Sequence, residues 1–370
     1  MNFQCNQQDL SYGIQHVQKA VSNRNTLPVL LGIKLVAFED TLTLSATDLE
    51  LAVECTVKAT VQENGEIVLP AKYFVDMIHN LPHGPVVFQL DPDSLQVKIS
   101  SGKAEFNLHG ISPDEFPTLT YIEEEEYSTI PSEVLSKSIK QTSFALSNDE
   151  SRPVFTGLLL EWTEERFRVV ATDGYRLAVK SHSFNFRPDF PDVVVPGKTM
   201  TELLRILSNR KEEQIKMAIQ GNQIYFRLSD TLVVSRLIEG SYPQYQQIIP
   251  QEKSITVELD REDFLHTLER VGVITKEGPN VIKLHITDKE KLVITANSPE
   301  IGDTYDEMTI SPQKKDMEIA FNSKYLKDAL KAIPTEKIHF SFIEELKPAT
   351  MTPVGEEDYI YVVLPIRLAK

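Results

Sequence analysis

Three groups of residues in this chain have types and spacings that chemistry could use. Gly197-Lys198-Thr199 resembles the end of a phosphate-binding loop, but that pattern requires glycine at position 192, where Asp192 stands. His79 and His83 have the i, i+4 spacing of metal ligands on a helix, yet Pro82 lies between them and should end the helix. We therefore expect no nucleotide-binding loop, no metal site and no cofactor.

The remaining reactive residue types also favour structural roles. Asp48 and Asp173 each follow an Ala-Thr pair, and a side chain that caps a turn is favoured there over an acid–base pair. The chain has two cysteines, Cys5 and Cys55, in apolar or strand-like surroundings, which favours buried thiols over a disulfide or a reactive site. We expect no catalytic residues, and hence a protein that is not an enzyme.

The elements that would position these residues occur in a pattern that repeats about every 126 residues. The segment 68–74 (VLPAKYF) returns as 194–200 (VVPGKTM), and its frame returns as 320–326 (AFNSKYL), so that lysine recurs at positions 72, 198 and 324. Pro28-Val29 with Pro153-Val154 and Asp48 with Asp173 keep the same register at 125 residues. Three large units built on one plan indicate an architecture that uses symmetry.

A period of this length predicts domains and not the short units of a solenoid. We predict three domains, 1–125, 126–250 and 251–370, each of ordinary domain size with its own core. In the first unit, 3.6-residue and two-residue periodicities alternate. They predict helices at 9–21 and 71–80, and strands at 42–46, 49–55, 86–90 and 95–99. The fold class is therefore α+β, with two helices packed on antiparallel sheets in each domain.

The segment 121–127 is predicted to be an extended, solvated linker, because it contains four consecutive glutamates that repel one another. Adjacent carboxylates in an extended segment cannot converge on one ion. No apolar run approaches the ~18 residues that span a bilayer, and the N-terminus lacks the basic and apolar regions of a signal peptide. We therefore expect a cytoplasmic protein with no membrane contact.

Charge is unevenly distributed along the chain. The total is 38 Lys+Arg against 54 Asp+Glu, a net charge of −16. The predicted helical stretches are nevertheless basic, with 14 bases against nine acids in 7–24, 71–80, 131–142, 198–211, 260–272 and 324–332. If symmetry gathers these helices on one surface, that surface can meet phosphates while the acidic exterior avoids non-specific binding. The alternative is an ordinary solvated helix face.

Ordered motifs in all three units resemble the bacterial sliding clamp family, the beta subunit of DNA polymerase III. They are 24–28 (RNTLP), 171–179 (ATDGYRLAV), 239–243 (EGSYP) and 362–368 (VVLPIRL). The resemblance runs the full length of the chain. It implies a head-to-tail homodimer that closes into a six-domain ring with helices inside and sheets outside, sliding on duplex DNA through contacts that do not depend on sequence.

The resemblance also implies partners and contact residues. A processivity clamp tethers the replicative DNA polymerase catalytic subunit and is opened by a clamp loader; translesion polymerases, ligase and mismatch-repair proteins dock on it through short peptides. The positions that it implies as DNA contacts are Arg24, Lys72, Lys137, Lys140, Lys198, Arg205 and Arg210. Asp149 is excluded, because a carboxylate would be repelled by DNA.

A hydrophobic groove for partner peptides is implied between the second and third domains. Its matching positions are Phe155, Thr172, Gly174, Tyr175, Arg176, Leu177, Pro243, Gln247, Ile248, Val362, Leu364, Pro365, Ile366, Arg367 and Leu368. Leu364 and Ile366 stand where the family often has methionine, Gln247 stands where a cation is frequent, and Ala369-Lys370 extend past the usual end. These differences concern the groove's shape but keep its apolar character.

The resemblance places the ring interface between the first domain of one subunit and the third domain of the other. The implied residues are Lys103, Phe106 and Leu108 on one side and Val273, Ile274, Glu300, Asp303, Asp306 and Glu307 on the other. An apolar centre with complementary charged edges suits a dimer that a loader must open. Glu105 stands where the family can have a base. The sequence leaves open a peptide-binding scaffold that never encircles DNA.

Overall fold

The computed structural model describes the chain apart from residues 23–26, 164–165, 184–189, 209–213, 276–277, 279, 288–289, 314–315 and 368–370. Two compact units are formed. Unit 1 comprises Met1–Glu133 with Glu202–Leu237, and unit 2 comprises Val134–Thr201 with Ile238–Lys370. Each unit therefore takes residues from two stretches of the sequence.

Helices and strands follow one another in the same order in each repeat, except that the first repeat has one additional strand, β5. The first repeat contains β1 (Asn2–Asn6), α1 (Gln7–Val17), β2 (Gly32–Phe38), β3 (Thr41–Thr47), β4 (Leu51–Lys58), β5 (Thr60–Glu63), β6 (Gly65–Pro70), α2 (Ala71–Asn80), β7 (Pro85–Asp91), β8 (Gln96–Ser101) and β9 (Ala104–His109). The second contains β10 (Ser128–Pro131), α3 (Ser132–Thr142), β11 (Gly157–Trp162), β12 (Arg166–Thr172), β13 (Arg176–Ser183), β14 (Val193–Pro196), α4 (Gly197–Ser208), β15 (Gln214–Gln220), β16 (Gln223–Arg227) and β17 (Thr231–Arg236). The third contains β18 (Ile255–Asp260), α5 (Arg261–Val271), β19 (Val281–Ile286), β20 (Lys291–Ser298), β21 (Gly302–Thr309), β22 (Met317–Asn322), α6 (Ser323–Ala332), β23 (Lys337–Phe342), β24 (Ala349–Pro353) and β25 (Tyr359–Val363).

The sheets are antiparallel, and the two eight-stranded sheets join consecutive repeats. Unit 1 has a five-stranded sheet, β5-β1-β7-β8-β9, and an eight-stranded sheet, β10-β15-β16-β17-β4-β3-β2-β6. Unit 2 has an eight-stranded sheet, β14-β11-β12-β13-β25-β24-β23-β18, and a four-stranded sheet, β21-β20-β19-β22. Each eight-stranded sheet combines strands of two repeats, which explains why the compact units do not coincide with the repeats. The predicted domain limits at 125/126 and 250/251 stay predictions.

The two joints between repeats are equivalent pair for pair. In unit 1, β17 pairs with β4 and places Thr231 opposite Cys55. In unit 2, β25 pairs with β13 and places Tyr359 opposite Lys180. In both joints the last strand of one repeat pairs with the fourth strand of the repeat before it. We call these the first joint (β17 with β4) and the second joint (β25 with β13).

The 126-residue period is also visible in single backbone bonds. The amide of Ile111 donates to the Val68 carbonyl at 2.8 Å. In the second repeat the Ile238 amide donates to the Val194 carbonyl at 2.9 Å, and in the third the Ile366 amide donates to the Ala320 carbonyl at 2.8 Å. The recurring lysine is the second residue of α2, α4 and α6 in turn. The prediction of three units on one plan is confirmed at this level.

The helices bury the faces that the sequence predicts. In α1, Leu10, Ile14 and Val17 are fully buried, and α2 covers the predicted 71–80 with Phe74 and Ile78 buried. Complete burial of side chains of this size contributes about 1.5–3 kcal/mol each. The apolar stripes therefore hold the helices on their sheets and leave Lys72 exposed.

Three element predictions were wrong in detail. The first helix ends at Val17 and continues as a 3-10 turn to Ala20, short of the predicted residue 21. The strand predicted from residue 49 begins at Leu51, because Asp48 caps a turn in which Leu49 has a φ of +77°. The glutamate segment forms a 3-10 turn at 124–126 instead of staying extended throughout. Its Glu124 forms ion pairs with Lys216 and Arg227, so the repulsion is offset by bases.

Candidate functional site

The predicted groove in unit 2 is built around one turn between β12 and β13. Thr172 accepts the Gly174 amide at 3.0 Å and donates its hydroxyl to the Arg176 carbonyl at 2.6 Å. Asp173 accepts the amides of Tyr175 at 2.9 Å and Arg176 at 3.0 Å. Gly174 has a φ of +90°, which favours glycine. The prediction that this aspartate caps a turn is confirmed.

Arg176 ties this turn to helix α6. Its side chain is 6% exposed, and its Nε donates to Asp173 at 3.0 Å while another guanidinium nitrogen donates to Asp328 Oδ2 at 2.8 Å. The guanidinium also lies 4.4 Å from the Tyr325 ring centroid and 5.6 Å from that of Phe144. The buried charge is paired with two carboxylates, so this arginine holds the turn in place.

The floor of the groove is a buried apolar cluster on the second joint. It consists of Leu159, Val170, Leu177, Val179, Val194, Tyr245 and Val362. Tyr245 donates to Glu161 at 2.7 Å, and Arg168 donates to the same carboxylate oxygen at 2.8 Å. Burial and the neighbouring carboxylate raise the pKa of Tyr245 well above its ordinary value, so it stays a neutral donor. This network fixes the start of the 3-10 turn 245–248.

The rim carries apolar side chains that remain exposed. Tyr175 is 58% exposed and Ile248 is 44% exposed. Gln247 donates to the Gln244 side chain at 2.6 Å, and Pro243 is exposed just before the turn. Phe155 is half-buried, with its ring 6.4 Å from that of Tyr242. A buried floor with an exposed apolar and amide rim can accept aliphatic or aromatic side chains of a peptide.

The chain end lies along the same turn. The Leu364 amide donates to the Tyr175 carbonyl at 2.9 Å, and the Ile366 amide donates to Ala320 at 2.8 Å. Pro365 lies between them and has no amide hydrogen, so β25 ends at Val363 and the flanking side chains are only half-buried. Arg367 is exposed, and the predicted groove residue Leu368 lies outside the described residues.

The first joint shows why the same backbone does not give the same surface. Its turn 47–51 repeats the amide hydrogen bonds of turn 172–176, with the Leu49 amide donating to Thr47 at 3.0 Å and the Leu51 amide donating to Asp48 at 2.8 Å. By strand register, however, Glu54 takes the place of Val179, and Arg236 that of Leu364. Charged side chains therefore stand where the second joint has apolar ones.

The basic residues predicted to meet DNA have varied surroundings. Lys140 and Lys198 are exposed, and Lys72 lies 5.7 Å from the exposed Tyr73 ring. Lys137 forms an ion pair with Glu356 at 3.3 Å, and Arg205 forms one with Glu202. Arg24 and Arg210 lie outside the described residues. Contact with DNA stays a prediction for all seven.

The predicted interface residues lie on two sheet edges. Within the described part of the chain, no strand pairs with the outer edge of β9 in unit 1 or of β21 in unit 2. Phe106 on β9 is 38% exposed, Leu108 is half-buried, and Lys103 is exposed in the turn before the strand. Glu105 forms an ion pair with Lys98 of the same sheet at 2.9 Å.

The β21 side offers charge and a cavity. Asp303 is exposed, Asp306 forms an ion pair with Arg270 at 2.7 Å, and Glu307 forms one with Lys291 at 2.8 Å. Val273 is 56% exposed. Beside it lies a cavity of about 390 Å³ that is lined by Ile274, Thr275, Gly278, Val281, Asn297, Ser298, Pro299, Glu300 and Ile301.

Other chemistry is not favoured in the described residues. They contain no group of three or more His, Cys, Asp or Glu side chains that could hold a metal ion. Helix α2 ends at Asn80, before Pro82, so His79 and His83 do not share one helix. His83 Nδ1 lies 3.0 Å from Gln7 Oε1. Cys5 and Cys55 are buried and free. None of the described helices is long and apolar enough to cross a membrane.

Comparison with known proteins identifies the family. Family models of the DNA polymerase III beta subunit match in three successive parts: the N-terminal domain at residues 1–120, the central domain at 129–244 and the C-terminal domain at 246–367. This chain belongs to the bacterial sliding clamp family. As a member, it is a non-catalytic processivity factor of the polymerase.

Similar clamps agree along the full length. The beta sliding clamp of Staphylococcus aureus Mu50 is 36% identical over 359 residues, 94% of each chain, and that of Bacillus subtilis 168 is 34% identical over 378 residues, 99% of this chain and all of that one. The crystal structure of the B. subtilis clamp has a TM-score of 0.94 at 33% identity, with both chains fully covered. A Bartonella birtlesii clamp bound to griselimycin has a TM-score of 0.95 at 26% identity, again with full coverage.

Sequence reasoning missed three residues that contact and support the predicted groove. Asp328, Tyr325 and Glu161 were not among the predicted site residues. Asp328 lies four residues after Lys324, a spacing that signals an ion pair on one helix face. Nothing in the sequence indicated that Arg176 would take the same carboxylate.

Proposed function

We propose that two copies of this chain close head to tail into a ring around duplex DNA. The observation that carries the proposal is the repeated joint. In both joints the last strand of one repeat pairs with the fourth strand of the preceding repeat. The last strand of the first repeat, β9, and the fourth strand of the third, β21, are the two that lack this partner among the described strands. A second copy supplies it twice, once at each end.

The same equivalence gives the register of this third joint. The pairing of neighbouring strands shows which residues of the three repeats are equivalent. Ala104 on β9 corresponds to Thr231 on β17 and Tyr359 on β25, and Asp306 on β21 corresponds to Cys55 on β4 and Lys180 on β13. Ala104 of one copy is therefore expected opposite Asp306 of the other. Continuing the antiparallel pairing brings Lys103 opposite Glu307, with complementary charges.

The apolar centre of the joint follows from the exposed residues on both edges. Phe106 and Leu108 would lose their exposure against the partner's sheet. The cavity beside β21, with Ile274 and Ile301 in its wall, offers apolar surface on the other side. Burial of these side chains supports closure, while the polar rim keeps the joint openable by a clamp loader.

In such a ring the recurring helices, with Lys72, Lys198 and Lys324 at equivalent starts, would face the central hole. Their cations would meet phosphates without reading base edges, so that the ring slides. The remaining predicted contacts are Arg24, Lys137, Lys140, Arg205 and Arg210. The clamp would work in the cytoplasm.

The groove of unit 2 would tether partners. The structural relatives from Bartonella birtlesii and Pseudomonas aeruginosa are bound to griselimycin, and we propose that griselimycin also binds this chain, in the groove of unit 2. Peptides of the replicative polymerase, the clamp loader, translesion polymerases, ligase and mismatch-repair proteins would dock there through apolar anchors. Tethering raises the effective concentration of the polymerase at the primer end.

The decisive test of the ring separates topology from charge. The clamp is loaded on nicked circular DNA with a clamp loader, washed at high salt, and the circle is then cut. A ring stays on the intact circle and leaves through the cut ends, whereas an electrostatic binder is removed by salt from both. Retention that cutting does not change would refute encirclement, and a peptide-binding scaffold would give no salt-resistant retention at all.

The groove is tested with a matched pair of variants. Tyr175→Ala removes an exposed rim aromatic, and Glu50→Ala places alanine at the equivalent position of the first joint. Tyr175→Ala should weaken griselimycin binding about tenfold, within the range for an interface aromatic. Glu50→Ala should leave binding unchanged in calorimetric titration. Equal effects of the two variants would refute the groove assignment.

A further inference from the structure

One carboxylate in unit 2 is shared by the groove and by the helix proposed to face DNA. Lys324 Nζ lies 2.7 Å from Asp328 Oδ2, and a guanidinium nitrogen of Arg176 lies 2.8 Å from the same oxygen. Lys324 is 61% exposed, Asp328 is 23% exposed and Arg176 is 6% exposed. The lysine can therefore exchange Asp328 for another anion, whereas the arginine is held inside.

We propose that Asp328 is a positioning residue that couples DNA contact at Lys324 to the peptide groove through Arg176. The inference rests on the proposed function and deepens it. A duplex phosphate that attracts Lys324 removes one of the two cations from Asp328 Oδ2. The carboxylate then pairs with Arg176 alone, and the pair is stronger because its charge is no longer divided.

A continuous series of contacts carries this change to the groove. Arg176 donates to Asp173 at 3.0 Å, and the other oxygen of Asp173 accepts the amides of Tyr175 and Arg176. The Tyr175 carbonyl in turn accepts the Leu364 amide at 2.9 Å. A more firmly held Arg176 therefore fixes both the rim turn and the terminal segment that carries Leu364, and a preorganised site binds more tightly.

A second contact keeps α6 attached to the groove strand. The Tyr361 hydroxyl on β25 donates to the Tyr325 carbonyl at 2.9 Å, and the Tyr325 ring lies 4.4 Å from the Arg176 guanidinium. Helix α6 thus contacts the groove from two directions. Because a hydrogen bond and a cation–π contact connect α6 to β25 and to Arg176, we expect a change at Asp328 to reach the groove.

The other joint lacks this connection. In turn 47–51 of the first joint, the position equivalent to Arg176 is occupied by Leu51, which cannot pair with a carboxylate. The helix residue equivalent to Asp328 there is Glu202, and it pairs with Arg205 instead. Lys72 on α2, a helix of the first repeat, provides a matched control in unit 1: it is the same residue at the same helix position as Lys324, and Arg176 lies in the other unit.

The experiment measures the affinity of labelled griselimycin for the clamp, free and loaded on nicked circular DNA. Wild-type clamp should bind about threefold more tightly on DNA, because an exposed ion pair changes an equilibrium constant by less than tenfold. Lys324→Met should give the tighter value already in the free clamp and no further gain on DNA. Lys72→Met should keep the wild-type ratio.

Asp328→Asn provides a second, independent test. It keeps the size of the side chain but removes the charge, so the affinity should fall and no longer depend on DNA, while the thermal midpoint and DNA retention report whether the ring remains intact. Equal affinity of wild-type clamp on and off DNA, or a Lys324→Met variant indistinguishable from Lys72→Met, would overturn the coupling. Loss of retention or of griselimycin binding by wild-type clamp would instead refute the proposed function.

Discussion

The register of the third joint is the sharpest consequence of the repeated sheets, and paired cysteines can test it. The proposed alignment brings Asn107 opposite Asp303 of the second copy and Ala104 opposite Asp306. Directly opposed residues of an antiparallel pair have Cα atoms about 4.5–5.5 Å apart. Disulfides form at about 4.4–6.8 Å, so both pairs lie within reach.

Two pairs are needed because opposed residues alternate between hydrogen-bonded and non-hydrogen-bonded sites, and the latter are closer. Positions 107 and 104 differ by three, so one pair falls on each type. Asn107→Cys with Asp303→Cys, and Ala104→Cys with Asp306→Cys, are each placed in one chain. The native Cys5 and Cys55 are buried and do not compete.

The matched control shifts the register by two residues. Asn107→Cys with Tyr305→Cys places the sulfurs on diagonal neighbours about 7–8 Å apart, beyond disulfide reach. After mild oxidation, non-reducing electrophoresis should show a covalent dimer of the 41.9 kDa chain for at least one opposed pair and little for the shifted one. Equal cross-linking of the shifted pair, or none by either opposed pair, would refute the register.

A cross-linked ring also provides a topological readout. If oxidation follows loading on nicked circular DNA, both joints become covalent and the polypeptide forms a closed loop around the duplex. The clamp should then stay with circular DNA in denaturing detergent and separate from linear DNA. Separation from both would show that the two chains were joined beside the DNA and not around it.

Three further predictions concern stability, each read as the apparent thermal midpoint. Gly174→Ala forces a side chain into a φ of +90° and should cost about 1–2 kcal/mol, with Gly174→Asn costing less because asparagine tolerates this region. Equal shifts for the two variants would contradict the strain argument. Burial, and then the charge of Lys180, lower the pKa of His182 to about 4, below its usual 6.5. The unfolded chain therefore binds the proton first, so stability should fall as pH drops from 6.5 toward 4, and His182→Gln should flatten that slope; an unchanged slope would contradict it. Lys180 is fully buried, with its Nζ 2.6 Å from Asp358 Oδ1. Asp358→Asn takes this partner away but leaves the buried charge, whereas Lys180→Met removes the charge itself, so Asp358→Asn should lower the thermal midpoint more. The reverse order would count against this reasoning.

The sequence predicted the repeat and much of the local structure because both depend on short-range patterns. Helix α2 begins and ends where its apolar spacing indicated, and Asp173 caps its turn as its position suggested. The start of β4 was missed because alternation continues through Leu49 in the sequence. Only the bonds from Asp48 show that the chain turns there.

Long-range pairing could not be predicted from the same patterns. The ion pair between Lys137 and Glu356 joins residues 219 apart, and no periodicity indicates it. The contact of Arg176 with Asp328 spans 152 residues. Such pairs depend on which strands are neighbours in a sheet, and the strand order was not part of the prediction.

The two joints within the chain show that repeated backbone and repeated function are separate matters. The turns before β4 and β13 share their bonds, and the strands after them share their register. The surfaces of the two joints differ because of a few side chains. The first joint has Glu54, Arg236 and Leu49 where the second joint has Val179, Leu364 and Gly174. The first joint also has buried apolar residues, among them Ala52, Leu232 and Val234, but an apolar anchor placed there would have to desolvate the neighbouring charges of Glu54 and Arg236, which costs more than the contact returns. One apolar groove per chain is therefore expected although the fold offers two equivalent places, and a ring of two chains would then present two grooves to its partners.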